Sequence, residues 1–233
     1  MRRLLTALIV LLVLLVAADR IGVAVASNVI ASKLRVSAGL SSEPSVDIRG
    51  FPFLTQALAG RYDQVDLHTG ALSRGGVRLA RFDVSLHGVQ LGLSAALSGR
   101  VISVPVEGLT ATAVVTYADV ATRGIAGIAV TPLGSEVRVT GRVTLLGQSV
   151  TATTDSTVRL DGTSIVITAQ KVSVLGVSSG VVNSALAGRM DFRVPVGRLP
   201  YGLALSGVHP TASGLVLVAR SGPTIIAVPA PAS

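Results

Sequence analysis

Apolar and polar residues trade places with a period of two over long stretches of this chain, and with a helical period over a few short ones. The clearest alternation lies in 136–174, where Val137, Val139, Val143 and Leu145 share one face against Arg138, Thr140, Arg142 and Thr144. That is the signature of a half-buried antiparallel strand. Turn chemistry at Gly147-Gln148 and at Asp161-Gly162 divides the rest into 150–160 and 164–174, so a three-strand meander is predicted. Upstream, Val65, Leu67 and Thr69 alternate with Asp66 and His68, a phase that turns Asp66 toward solvent. Val77 and Leu79 hold one phase while Phe82, Val84 and Leu86 hold the other, which predicts a bulge or bend near Ala80-Arg81. Residues 101–112 read as a further strand region, with Pro105 best placed at a sheet edge.

Helical spacing is rarer. Tyr117, Val120, Ala121, Gly124, Ile125 and Ile128 fall on one helical face, and Thr116 with Asp119 forms a start like a capping box. A second candidate covers 177–187, with Val181, Val182, Ala185 and Leu186 on one side. Strands with a single apolar face need a helix or another sheet above them. The expected fold class is therefore α+β, with a curved antiparallel sheet packing one face around a helix.

The N-terminus departs from both periods. Arg2-Arg3 precedes an apolar run from Leu4 to Ala18, a positively charged start and a hydrophobic stretch of export-signal length, shorter than the ~20 residues that span a bilayer comfortably. Ala24-Val25-Ala26 before Ser27 fits a small-residue cleavage site, whereas Ile21-Gly22-Val23-Ala24-Val25 extends the apolar run toward an uncleaved anchor. Asp19-Arg20 is expected to interrupt such a longer helix. Residues 1–26 are thus expected to be a signal peptide or an N-terminal membrane anchor, and 27–233 a single domain that opens with a weakly amphipathic helix ending before Ser41-Ser42-Glu43-Pro44. Arg2-Arg3 would hold the start on the cytoplasmic side.

One segment concentrates features found nowhere else. In Ser45-Val46-Asp47-Ile48-Arg49-Gly50-Phe51-Pro52-Phe53-Leu54-Thr55-Gln56-Ala57-Leu58-Ala59-Gly60, two of the chain's 4 phenylalanines flank a proline. Val46 and Ile48 alternate as in a strand; Leu54, Ala57 and Leu58 then recur at helical spacing, and Gly60 offers a C-terminal cap. The result is an apolar hook between a strand and a short helix. Phe51, Phe53 and Leu54 would line the mouth of an apolar groove or dip into a membrane, with Arg49 and Arg61 meeting a lipid phosphate; equally, Phe51 and Phe53 would be core residues pinning the helix to the sheet. The end of this segment recurs, since Ala57-Leu58-Ala59-Gly60-Arg61-Tyr62-Asp63 matches Ala185-Leu186-Ala187-Gly188-Arg189-Met190-Asp191 at six of seven positions. Helix capping by Gly and Arg in an Ala-rich sequence explains such a match, and so does an old duplication of a helix-to-strand corner.

Composition narrows the chemistry. Of 233 residues 49% are hydrophobic and 14% charged, with a mean hydropathy of +0.67 and aromatics at 3%. So apolar a chain needs its excess hidden or occupied, and an apolar ligand accounts for it. Cysteine is absent, which excludes disulfides, thiolate metal sites and a Cys nucleophile. His68, His87 and His209 lack metal-ligand spacing, and no neighbouring carboxylate completes a site around them. Asp63, Asp66 and Asp83 are close in sequence, but an acid/base pair there has no support if Asp66 faces solvent. No nucleophile elbow, phosphate loop or dinucleotide fingerprint occurs. No enzymatic step and no cofactor are therefore expected. The net charge of +8, almost all arginine, would attract anionic lipid headgroups, polyanionic envelope polymers or nucleic acid, and the codon bias of a GC-rich genome accounts for it equally; nucleic acid would need stacking aromatics, in which this chain is poor.

The hook, continued by Arg61-Tyr62-Asp63-Gln64-Val65, closely resembles the signature of the LmeA family, actinobacterial cell-envelope proteins regarded as phospholipid binders. Leu199-Pro200-Tyr201-Gly202-Leu203, then Ser206-Gly207-Val208 and Ser213-Gly214-Leu215-Val216-Leu217, is similar to that family's closing segment, so the resemblance runs from about Asp19 to Ala227. It implies a fold similar to tubular lipid-binding proteins, a long helix wrapped by a strongly bent sheet. It also implies phospholipid, anionic by the charge argument, and a membrane surface as partners, with a link to lipoglycan maturation in part of the family. Gly50, Phe51, Pro52, Phe53, Leu54, Thr55, Gln56 and Gly60 match the family motif, and the expected lipid-binding set is Arg49, Gly50, Phe51, Pro52, Phe53, Leu54, Leu58 and Arg61. The alternative is a non-enzymatic envelope scaffold whose apolar surface meets a protein partner.

Overall fold

A computed structural model describes residues 2–37, 40, 42–74, 77–92, 94–95, 103–123, 127–145, 148–174, 180, 186, 188 and 190–227. In chain order, the first elements are α1 (Arg2–Ser37), β1 (Ser45–Arg49), α2 (Phe53–Ala59), β2 (Arg61–Thr69), β3 (Leu72–Arg74), β4 (Val77–Gln90), β5 (Ser103–Val106) and β6 (Gly108–Val115). Then come α3 (Tyr117–Arg123), β7 (Ala129–Leu133), β8 (Glu136–Leu145), β9 (Gln148–Asp161), β10 (Ser164–Val174), β11 (Phe192–Pro195), β12 (Ala204–Thr211), β13 (Gly214–Ser221) and β14 (Thr224–Ala227). The protein is α+β with mostly antiparallel sheet, 54% strand, and a long N-terminal helix; no closed barrel forms among the described residues. Two compact units divide the chain. The first comprises Met1–Gly70, Asp83–Thr110 and Ser221–Ser233; the second comprises Ala71–Phe82 and Ala111–Arg220.

The first unit is built on α1, α2 and the strands around them. β1 pairs antiparallel with β2, placing Ile48 opposite Val65. β5 pairs with β14 in a two-stranded sheet where Pro105 faces Ile225, so the proline without an N–H sits where few ladder bonds are needed. Phe53, Ala57, Tyr62, Val89 and Val106 form the core of this unit, and Val23 and Ala26 of α1 pack against it. α1 runs without a break through Asp19 and Arg20. The expected interruption there is thus corrected: a helix tolerates an Asp whose carboxylate finds a donor outside the helix, and Asp19 does.

The second unit holds the meander. Its five-stranded sheet has the order β11-β10-β9-β8-β7, and the hairpin turn between β9 and β10 carries Gly162 at φ +58°. Val137, Val139, Ala152, Ile167 and Val172 are fully buried along it, joined by Leu186 and Leu215. α3 starts as predicted, with Thr116 Oγ1 accepting a hydrogen bond from the Asp119 N–H at 3.2 Å. The helix expected over 177–187 lies largely outside the described residues; Leu186 within it and Met190 just beyond it are helical and buried.

Two further expectations concern β4 and the repeated heptapeptide. β4 is one strand from Val77 to Gln90, passing through Ala80 and Arg81; Leu79 packs on the core of the second unit and Leu86 on that of the first. In the first copy of the repeated heptapeptide, Gly60 at φ +67° caps α2 with its N–H 3.3 Å from the Ala57 carbonyl. In the second copy, partly outside the described residues, the Asp191 carboxylate accepts from the Ala169 N–H at 2.7 Å.

Candidate functional site

The hook begins where β1 ends at Arg49. Gly50 takes φ +103°, and a Cβ there would lie 2.4 Å from Gln56 Nε2 and 2.7 Å from Asp63 Oδ2, so only glycine fits the corner. The Phe51-Pro52 bond is cis. Pro52 then stands at the N-cap of α2 in an extended conformation and supplies no side-chain cap. A helix start left so would keep unsatisfied N–H groups. The missing acceptor comes from α1: Asp19 Oδ1 accepts from the Leu54 N–H at 2.8 Å.

Around that bond α1 and the hook interlock. Asp19 is 2% exposed, and its other oxygen accepts from Arg20 Nη2 at 2.6 Å. The Arg20 guanidinium lies 5.1 Å from the centroid of the Phe51 ring, a cation–π contact. Gly22, one turn on, leaves room for the Phe53 ring, which a Cβ would approach to 3.4 Å. The packed positions of α1 thus recur at Asp19, Gly22, Val23 and Ala26, the spacing of one helical face. An acid and a glycine at that spacing inside an apolar helix are the available signal for this role, one that the expectation of a break at Asp19-Arg20 passes over.

The hook's own side chains divide. Phe53 is 7% exposed and stacks toward Tyr62 with ring centroids 6.1 Å apart, so it is a core residue. Phe51, 63% exposed, is not. On α2 the buried face is Phe53, Gln56 and Ala57, while Leu54 and Leu58 point outward, Leu58 at 77% exposure. Leu54, Ala57 and Leu58 do share a helix as their spacing predicts, but of the three only Ala57 faces the core. Gly50 and Pro52 shape the turn. Phe51, Leu54 and Leu58 therefore form an exposed apolar surface on one short corner.

The two arginines of the expected set are already paired. Arg49 donates to Asp66, and Arg61 Nη2 lies 2.5 Å from Glu107 Oε1. Asp66 itself corrects the expectation that it faces solvent: it is 5% exposed. Ser85 Oγ donates to it at 2.6 Å and Gln64 Nε2 at 2.8 Å, partners that the period of β2 alone does not reveal. Burial pushes its carboxyl upward, but the hydrogen bonds from Gln64, Ser85 and Arg49 and the Arg49 charge outweigh burial and hold its pKa below the ordinary value. A depressed carboxylate stabilises the fold fully above its unfolded value, about 3.9, and the benefit is lost as pH falls through the lower folded value. Asp66→Asn is thus expected to melt below wild type at pH 7, with the gap closing toward pH 2; thermal midpoints at pH 7, 4 and 2.5 check this, and a gap that stays constant removes Asp66 from the acid sensitivity.

His68 also differs from expectation. Its Nδ1 lies 3.1 Å from Asp83 Oδ1 and its Nε2 3.8 Å from Asp47 Oδ2, so strand pairing supplies the carboxylates that the linear sequence does not. The cluster is solvent-exposed, and among the described residues no group of three or more His, Cys, Asp or Glu side chains is placed to hold a metal ion. A depression between Arg2 and Leu14 lies along the exposed start of α1 and adds nothing to the hook.

The sequence model of a family described as LmeA-like phospholipid-binding matches residues 17–220. No curated protein and no solved structure matches the chain.

Proposed function

The chain belongs to the LmeA-like phospholipid-binding family, and from that premise we propose that it is an exported cell-envelope protein that holds phospholipid against an apolar surface and performs no chemical step. The family is a phospholipid-binding one and not a known enzyme family. Family membership supports the ligand class; the observation that carries the site is the exposed corner of Phe51, Leu54 and Leu58 within the family motif. Acyl chains against such side chains gain about 0.8 kcal/mol per buried methylene, enough to hold a lipid without any catalytic group. The net charge of +8 favours anionic headgroups. Arg49 and Arg61 would reach a phosphate by exchanging their present carboxylate partners for it. The tubular arrangement of a bent sheet around a long helix, and a role in lipoglycan maturation, belong to the same proposal.

The test is direct. The full chain is purified from membranes in mild detergent and extracted with organic solvent, and the extract is read by mass spectrometry. Phospholipid at close to one or two molecules per chain, enriched in anionic species over the host membrane, is the expected result. A folded chain that yields only the bulk lipid mixture in variable amount, and shows no preference among vesicles, overturns the proposal and leaves the scaffold reading.

A further inference from the structure

We propose that α1 is retained as a transmembrane stalk, locked to the first unit through Asp19, and that it seats Phe51, Leu54 and Leu58 in the interfacial zone of the same bilayer. Among the described residues α1 is long and apolar enough to cross a membrane. Cleavage after Ala26 would be the ordinary fate of an export signal. Here it would remove Asp19, Gly22, Val23 and Ala26. Those residues supply the acceptor for the Leu54 N–H, the space for the Phe53 ring and part of the wall of the first core. A disposable leader has no reason to bury a carboxylate against the domain that follows it. Asp19 is a buried charge with two partners, one of them a backbone group of α2.

Length decides where the hook sits. The run from Leu4 to Ala18 rises about 22 Å at 1.5 Å per residue, while the hydrocarbon core of a bilayer is about 30 Å thick. That run alone falls short by about a turn and a half. Beyond Ala18 its outer face stays apolar and exposed at Ile21 and Val25, and its other face is covered by the hook. Phe51 stands beside Arg20, and Leu54 is bonded to Asp19. The stalk's apolar run therefore ends beside Leu54, whose Cδ2 would lie 3.6 Å from a Cβ on Gly22, with Leu58 one turn further along α2 and Phe51 at Arg20. These residues supply the missing length as a collar, and the Arg20 guanidinium over Phe51 is set to reach the phosphate layer. The occupant of the exposed corner is the outer-leaflet interface itself, contiguous with the span, with Arg2 and Arg3 on the far side.

This inference rests on export of the chain and not on a carried lipid, so the two fail separately. The chain has no native cysteine, which makes a single introduced thiol unique. First, the full chain is expressed in an export-competent bacterial host and its intact mass is measured after membrane extraction. A product containing residues 4–26 is expected, and one beginning at Ser27 overturns the proposal. Second, Phe51→Cys and Ser32→Cys are each labelled with an environment-sensitive fluorophore and reconstituted in phosphatidylcholine–phosphatidylglycerol vesicles carrying brominated acyl chains. Ser32 is exposed on α1 and lies about 20 Å along the axis from Asp19. Several-fold stronger quenching at position 51 than at 32 is expected; equal quenching at both, or none at 51, overturns the collar. Leu58→Cys, on the same surface, gives a second reading should Phe51→Cys misfold. Lipid-free protein that still shows quenching at 51 keeps this inference and loses the carried lipid, whereas lipid-loaded protein starting at Ser27 does the reverse.

Discussion

Phe53→Asp is expected to unfold the first unit, while Phe51→Asp, two residues earlier, leaves it folded and weakens its hold on lipid vesicles. Truncating a buried phenylalanine costs about 3–5 kcal/mol, and an aspartate at that position adds an unpaired charge among Tyr62, Ala57 and Val106. Typical domains have only about 5–15 kcal/mol in total. Phe51, by contrast, meets mainly solvent and the Arg20 guanidinium, so its loss falls in the range of surface substitutions, about 0.5 kcal/mol, with the cation–π contact as the main contribution. Thermal melting by circular dichroism and co-sedimentation with anionic vesicles separate the two. A cooperatively folded Phe53→Asp would remove that ring from the core, and a Phe51→Asp that melts like it would place Phe51 there instead.

Gly214→Ala should be the most damaging small substitution in the second unit. Gly214 has φ +153°, and a Cβ on it would sit 2.2 Å from the Val115 carbonyl oxygen and 2.9 Å from its carbon. Those are backbone atoms at the end of β6, held by the turn into α3 where the Val120 N–H bonds the Thr116 carbonyl at 3.1 Å. Neither chain can yield without disturbing Leu215, which is fully buried next door. Backbone strain of about 1–3 kcal/mol and overpacking of about 1–3 kcal/mol add to roughly 3 kcal/mol or more. At about 2–4 °C per kcal/mol for a chain of this size, the midpoint falls by roughly 6–12 °C. Gly162→Ala is the internal comparison, since Gly162 has φ +58° but nothing within 4 Å of an added Cβ; it should cost only about 1 kcal/mol. Equal midpoints for the two variants would show that the Val115 backbone gives way.

Much of the fold was legible because its signals are local. The meander over β8, β9 and β10 follows from the alternation in β8 and from turn chemistry on either side of β9, although the register shift between Ala169 and Lys171 in β10 is not visible in that pattern. The β1–hook–α2 corner follows from Val46 and Ile48, the glycine and proline between them, and Gly60 at the cap. What stayed hidden were polar residues whose partners lie far along the chain. Asp66 looked exposed because Val65 and Leu67 flank it, yet Ser85 and Arg49 close over it from other strands. Asp19 looked like a breaker because its acceptor role concerns Leu54, 35 residues away. His68 looked isolated until strand pairing set Asp47 and Asp83 beside it.

For the candidate site the same division holds. Residue types and spacing by themselves determined that a short helix follows the Phe51-Pro52-Phe53 turn, that the first 18 residues are apolar apart from Arg2, Arg3 and Thr6, and that the hook matches a lipid-binding family. Only the tertiary structure decided that Phe53 is core and Phe51 is surface, that Leu54 and Leu58 face outward, and that α1 is bound to α2 through Asp19. Periodicity groups side chains by face. Which face is buried depends on what packs against it, and that partner is chosen by contacts between segments far apart in sequence, whose desolvation and hydrogen bonding no local pattern contains.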